Sequence, residues 1–88
     1  MKAHDICLEA CDLIRGERGA AYGDILKNHQ NIADLWSAYL GSEITAHEVA
    51  ILLVLLKVAR TKTGWKPDNY VDIAGYGGVA GEIAEQTK

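Results

Sequence analysis

The sequence has few of the residues that mark disordered, disulfide-linked or membrane-spanning chains. It contains one proline and two cysteines among 88 residues, and 49% of its residues are hydrophobic. No stretch reaches the roughly 18 uninterrupted apolar residues that a membrane span requires. These absences exclude a disordered tail and a transmembrane helix, and they predict one globular domain over residues 1–88.

The chain also lacks an excess of basic residues, and its formal net charge is -3. Non-specific nucleic-acid binding needs a basic face that neutralises phosphates, so we expect no direct nucleic-acid partner. A small anionic ligand held by a few cations remains compatible with this charge. The N-terminal stretch "MKAHDICLEACD" carries acids where a signal peptide has its apolar region. We therefore expect a cytoplasmic protein with no membrane partner.

The two cysteines, Cys7 and Cys11, are spaced i, i+4 and so share one face of a helix. A reducing cytoplasm disfavours a structural disulfide, and a metal site would need more ligands nearby. We expect both to be small, buried core residues, which is the ordinary behaviour of free cysteine.

Apolar residues recur with helical spacing in four segments, and no segment is typical of a strand, so the predicted fold is all-α. The first segment is interrupted at Gly16 and Gly19, and the second opens on Asp24 as a cap and ends at Gly41. Short connections predict antiparallel packing as a four-helix bundle. The segments cover residues 3–17, 24–41, 45–61 and about 67–84.

The third segment is apolar almost all round, which is typical of a central helix with neighbours on several sides. The fourth contains four glycines, each weakening a helix by up to about 1 kcal/mol, and close approach to another helix or subunit would offset that cost. A chain this short has limited surface to bury, so we expect a homodimer or higher oligomer that completes the bundle. The side chains expected to be deeply buried are Leu52, Leu55, Leu56, Ile32 and Trp36.

Three acids are candidates for a metal site. Asp68 and Asp72 lie one turn apart on the fourth helix, and Glu48 shares the stripe of the third helix that we expect to face inward. Inward acids are costly without a cation, and Mg²⁺ (or Mn²⁺) suits such oxygen ligands. A capping box with Thr45 explains Glu48 equally, and a favourable first-turn position explains Asp68. Asp72 has no capping role. It can be a metal ligand or an ordinary acidic residue of the helix, and the sequence leaves both interpretations open.

Lys57 and Arg60, near the end of the third helix, can hold phosphate, or can simply complement the negative end of the helix dipole. His29 falls on the apolar side of the second helix with Ile25 and Ile32. A histidine in that position is more often a hydrogen-bonded core residue than a catalyst.

Two motifs carry a resemblance to a known family. The stretches "EVAILLVLLKVAR" and "DNYVDIAGY" resemble the central part of the MazG-like superfamily of all-α nucleoside triphosphate pyrophosphohydrolases, over about residues 45–77. With "ERGAAYGD" and the "LW" of the second helix, they look more closely like a family of small phage and prophage proteins related to that superfamily, over about residues 15–78. If phage-encoded, the protein would act in the host cytoplasm.

The resemblance implies magnesium-dependent hydrolysis of a nucleoside triphosphate to the monophosphate and pyrophosphate. Glu48 matches the first acid of the superfamily's ExxE pair, whereas Ile51 stands at the second position and cannot bind a metal. Asp24, Glu43 or a second subunit would have to supply the missing ligand. The resemblance implies that Glu48, Asp68 and Asp72 are the metal ligands. For this function we expect Glu48 and Asp72 to be catalytic. We expect the substrate to be bound by Lys57, Arg60, His29, Trp36 and Tyr76. For Tyr76 a buried structural role remains open.

Ile51 also favours an alternative of a different class. In that interpretation the chain is a non-catalytic helical phage protein that kept the fold and binds a protein partner through its oligomeric bundle.

Overall fold

A computed structural model describes residues 1–16 and 24–88, and over these residues the chain forms helices and no strands. The helices are α1 (Ala3–Arg15), α2 (Ile25–Leu40), α3 (Ala46–Arg60) and α4 (Pro67–Gln86), with a 3₁₀ turn at Thr61–Thr63. The all-α class and the four segments are confirmed, as is the break at Gly16; the predicted break at Gly19 lies outside the described residues. Within the described ranges, none of the helices combines the length and apolar character that a membrane crossing demands.

Both ends of α2 form as the sequence predicts. The Asp24 carboxylate accepts a hydrogen bond from the Lys27 N–H at 3.1 Å and caps the first turn. Gly41 ends the helix at φ 69°, a left-handed conformation that glycine adopts without strain. The Ser37 hydroxyl then accepts from the Ile44 N–H at 2.8 Å, which closes the turn into α3.

The core is built on the antiparallel pair α3 and α4. At one end of the pair the Asn69 side-chain amide donates to the Arg60 carbonyl oxygen at 3.4 Å, and at the other end Ala46 joins the same buried cluster as Ile83. No leucine, tyrosine or tryptophan of the described residues is among the buried ones, so the helices meet through small side chains. The buried apolar residues are Ala10, Ala33, Ala46, Val49, Ala50, Val71, Val79, Ala80 and Ile83.

The prediction that the leucines of α3 are deeply buried is wrong for the single chain. Leu55 is 55% exposed, and Ile32 and Trp36 on α2 are only half-buried. Because α3 is apolar nearly all round, its pattern does not indicate which side faces inward, and the side with small residues packs against α4. The opposite side, named here the leucine face, consists of Ile51, Leu52, Leu55, Leu56 and Val58, all exposed.

Cys7 and Cys11 are both exposed, so the expectation that they belong to the core is also wrong. α1 packs onto α4 through Ala10, which is buried, and Ile14, which is half-buried. These two residues occupy the centre of the contact, and the cysteines lie on its flank.

The glycines of α4 do not serve a close approach between helices of one chain, contrary to expectation. A Cβ added at Gly75 or Gly78 would lie 4.0 or 3.9 Å from the Ile14 Cδ1 atom, which is ordinary van der Waals contact. At Gly77 and Gly81 an added Cβ meets nothing within 4 Å. The other half of the expectation, that these glycines allow close contact with a second subunit, stays a prediction.

The small-residue core can be tested by truncating its largest member. Ile83 is fully buried between α3 and α4, so Ile83→Ala should lower the free energy of unfolding by about 2–5 kcal/mol in chemical denaturation. Leu8→Ala is the control, because Leu8 is 60% exposed on α1, and its effect should stay within about 0.5 kcal/mol. Equal effects of the two substitutions would contradict this description of the core.

Candidate functional site

A cavity of about 180 Å³ lies between α1, α2 and α4. Its polar lining comes from Asn28 and His29 on α2 and from Asp72 and Tyr76 on α4. Three of the substrate-binding and catalytic residues expected from the sequence, His29, Asp72 and Tyr76, therefore share one cavity. A small apolar cavity with a few convergent polar groups is the usual form of a ligand site. The apolar lining consists of Ala10, Leu13, Ile14, Ile25, Val71, Gly75 and Val79.

The ring of His29, a residue that lines the cavity, carries a buried hydrogen-bond acceptor. Its Nδ1 atom lies 3.0 Å from the Ile25 carbonyl oxygen, and since a carbonyl oxygen only accepts, Nδ1 must carry the proton. In the neutral ring the Nε2 atom is then an acceptor, and it is buried without a hydrogen-bond partner among the described residues. A buried acceptor without a partner is costly, and because Nε2 has almost no accessible surface, a donor from outside reaches it only after neighbouring side chains move.

Asp72 forms an ion pair with Lys57 of α3, with 2.9 Å between the carboxylate oxygen and Nζ. The two side chains are only 28% and 18% exposed, so solvent screens the pair incompletely. The sequence led us to expect acids facing one another at this position. The neighbour of Asp72 is instead a cation, which places one positive and one negative group beside the cavity.

Glu48 forms a capping box with Thr45, which is one of the two roles that the sequence suggested for it. Its carboxylate accepts from the Thr45 N–H at 3.0 Å, and its own N–H donates to the Thr45 hydroxyl at 3.1 Å. These bonds, the backbone one foremost, hold the pKa of Glu48 below its ordinary value. Glu48 stands nine residues before Lys57 on α3, which is roughly 13 Å along the helix at 1.5 Å per residue.

The acids expected to bind magnesium are not gathered within one chain. Asp68 is exposed in the first turn of α4, one turn from Asp72, while Glu48 lies toward the opposite end of the antiparallel pair. Across the residues that the structure describes, no three His, Cys, Asp or Glu side chains are placed to hold a metal ion together. Asp24 is occupied as the cap of α2, and Glu43 is exposed ahead of α3.

The other expected residues lie outside the cavity. Arg60 is exposed at the end of α3, and Trp36 is half-buried on α2 and does not line the cavity. The sequence interpretation missed Asn28, which lines it, and Asn69, which is 4% exposed and ties α3 to α4. No sequence signal distinguished them, since asparagine near the start of a helix ordinarily faces solvent.

The described residues form a small all-α domain with a mostly apolar cavity between three of its helices. The chain belongs to the family described as a domain of unknown function, DUF6378, whose model matches residues 5–84. It is 47% identical to the Gene 55 protein of Mycobacterium phage L5 over 76 residues, which is 84% of this chain and 49% of that protein. Against the Gene 55 protein of Mycobacterium phage D29 the identity is 44% over 85 residues, 96% of this chain and 56% of the relative.

The chain thus spans about half the length of the curated relatives it matches. No solved structure matches it. The resemblance to a family of small phage proteins is confirmed, and the relationship to the MazG-like superfamily stays a prediction.

The role of Glu48 can be tested by pH. A lowered carboxylate pKa contributes stability that is present above the ordinary value of 4.5 and is lost as pH falls through the folded-state pKa. Glu48→Gln keeps a side-chain oxygen for the capping box but removes the charge, so it should melt at a lower temperature than wild type at pH 7. The melting temperatures of wild type and variant should converge when the pH is below the ordinary pKa of a glutamate side chain. A difference that persists unchanged in acid would contradict the capping role.

Proposed function

We propose that the chain is the nucleotide-binding unit of a MazG-like, magnesium-dependent nucleoside triphosphate pyrophosphohydrolase of phage origin. The observation that carries this proposal is the cavity that His29, Asp72 and Tyr76 share, with Lys57 paired to Asp72 beside it. The motif resemblance supports the same reaction, hydrolysis to the nucleoside monophosphate and pyrophosphate.

The cavity volume supports binding of the base alone. An apolar cavity of about 150 Å³ accommodates a benzene ring, so about 180 Å³ suits one six-membered heterocycle and leaves sugar and phosphates outside. The Nε2 atom of His29 would accept a hydrogen bond from an N–H of the base once neighbouring side chains move to expose it. Tyr76 and Asn28 would orient the ring from the cavity wall.

The phosphates would then lie toward Asp72, Lys57 and Arg60. Lys57 can exchange its carboxylate partner for a phosphate oxygen, and Arg60 can bind phosphate in bidentate fashion. Mg²⁺ commonly uses one or two carboxylates together with substrate phosphates, and Asp68 and Asp72, one turn apart, fit that requirement. The metal would supply charge stabilisation at the phosphoryl oxygens and activation of water. Glu48 would contribute only from a second copy.

Thermal melts and product detection test the enzyme proposal. Wild type should gain melting temperature with millimolar Mn²⁺ or Mg²⁺ and a nucleoside triphosphate relative to chelator, because a ligand bound to the native state stabilises it. Asp72→Asn should abolish this gain together with pyrophosphate release. Asp34→Asn, an exposed acid on α2, is the charge-matched control and should retain both. No metal-dependent shift in wild type with any triphosphate of a panel would refute the proposal.

A second candidate function is supported by the leucine face. Five large apolar side chains of α3, each between 39% and 55% exposed, lie on the side opposite α4. Such a surface marks an interaction site, and the radius of gyration of 13.6 Å exceeds the roughly 12 Å of a compact chain of this length. The alternative is therefore a non-catalytic phage protein that binds a protein partner through an oligomeric bundle.

Under both candidate functions we propose that a second copy covers the leucine face as a two-fold dimer, whose interface is self-complementary. Sedimentation equilibrium should give a dimer at micromolar concentration, and Leu55→Glu should shift it to monomer by placing a charge in the interface. Leu8→Glu is the control, because Leu8 on α1 is 60% exposed and Leu55 is 55% exposed. A folded wild-type monomer at micromolar concentration, or equal dissociation by both variants, would refute the dimer.

A further inference from the structure

The charges of the chain are separated along the sequence. Residues 57–72 contain four basic and two acidic side chains, whereas the rest of the chain contains five basic and ten acidic ones. The whole chain has a net charge of -3, but the end where α3 passes into α4 has more basic than acidic residues. Local charge, and not the total, decides whether a surface attracts phosphate.

Three cations at this end are available to a partner. Arg60, Lys62 and Lys66 are exposed, and in the described ranges the ion pairs are His4–Asp5 and Lys57–Asp72, so none of the three is used. Asp68 is the acid nearest in sequence, two residues beyond Lys66, and offsets part of their charge.

Two exposed aromatic residues lie close to these cations in the sequence, Trp65 directly before Lys66 and Tyr70 four residues after it. Trp65 is 66% exposed and Tyr70 37% exposed, and their ring centroids are 5.3 Å apart at 32°. The tilted pair leaves ring faces open to solvent. Aromatic faces beside unpaired cations are the combination that binds single-stranded nucleic acid, because bases stack on the rings while the cations follow the phosphates.

Hydrogen bonds hold this end of the molecule in one shape. The Thr61 hydroxyl donates to the Val58 carbonyl oxygen at 2.6 Å, and the Thr63 hydroxyl donates to the Arg60 carbonyl oxygen at 2.8 Å. The Arg60 carbonyl oxygen also accepts from the buried Asn69 amide. The 3₁₀ turn that precedes Trp65 is thereby tied to α3, and α3 is tied to α4, the helix that carries Tyr70. We therefore expect little ordering entropy to be lost when a ligand binds.

We propose that Arg60, Lys62, Trp65, Lys66 and Tyr70 form a binding surface for single-stranded nucleic acid. It lies outside the cavity. It does not require the proposed enzyme activity, but it shares Arg60 with the proposed phosphate contacts. A mixed surface of tryptophan and lysine also suits an anionic membrane. The paired rings favour the nucleic acid, because Tyr70 packs against Trp65 and offers stacking faces for neighbouring bases.

The test is fluorescence anisotropy of a labelled oligothymidylate with the full chain over a range of salt concentrations. If three basic side chains contact phosphates of a single strand, a plot of log affinity against log salt concentration should have a slope of about -2. Trp65→Ala should weaken binding about tenfold through loss of stacking. Substituting Lys62→Gln and Lys66→Gln together should reduce the slope to about -0.7.

Lys27→Gln with Lys88→Gln is the control, since it changes net charge equally away from this surface and should leave affinity and slope almost unchanged. All substituted residues are exposed, so circular dichroism should confirm intact helices. The proposal is overturned if wild type does not bind at low salt, if the control pair weakens binding as much as the test pair, or if Trp65→Ala has no effect. Binding to phosphatidylserine-containing vesicles, without binding to the oligonucleotide, would assign the surface to membranes and also overturn it.

Discussion

The rest of the structure depends on the contact between α3 and α4. Alanine and valine side chains on both helices allow the two backbones to approach, and Ile83 fills the space between them. Small residues that pack in this way leave no room for leucine between the helices. Leu52, Leu55 and Leu56 of α3 lie on its outer side, where the described residues leave them exposed.

The same contact sets the positions of the candidate functional groups of α3 and α4 relative to one another. Because the helices run antiparallel, Lys57 meets Asp72 and Arg60 meets Asn69, while Glu48 falls near the far end. The arrangement places a cation and an acid beside the cavity, and it places exposed basic residues and two aromatic residues at the end of the hairpin. The cavity and the exposed aromatic pair are thus separate features of one small domain.

The helices themselves could be predicted from the sequence, because their signals are local. Asp24 caps α2 and Gly41 ends it, and the Thr45 and Glu48 pair begins α3, each through bonds that reach no further than four residues. The cavity was predictable only in part. His29, Asp72 and Tyr76 were chosen for their residue type, but their convergence requires three helices to meet at the right angles. Asn28 and Asn69 carried no signal at all.

The inward side of α3 shows where prediction from sequence ends. The spacing of apolar residues indicates which side of a helix faces inward only when the other side is polar. α3 has apolar residues on every side, so the pattern does not distinguish Leu55 from Val49. The sequence by itself determined the all-α class, the helix boundaries and the capping of α2 and α3, since these depend on neighbours along the chain. The tertiary structure alone decided that Val49 faces inward and Leu55 outward, and that Asp72 meets Lys57 and not Glu48. These outcomes depend on the size of side chains on a facing helix, which residue spacing does not encode.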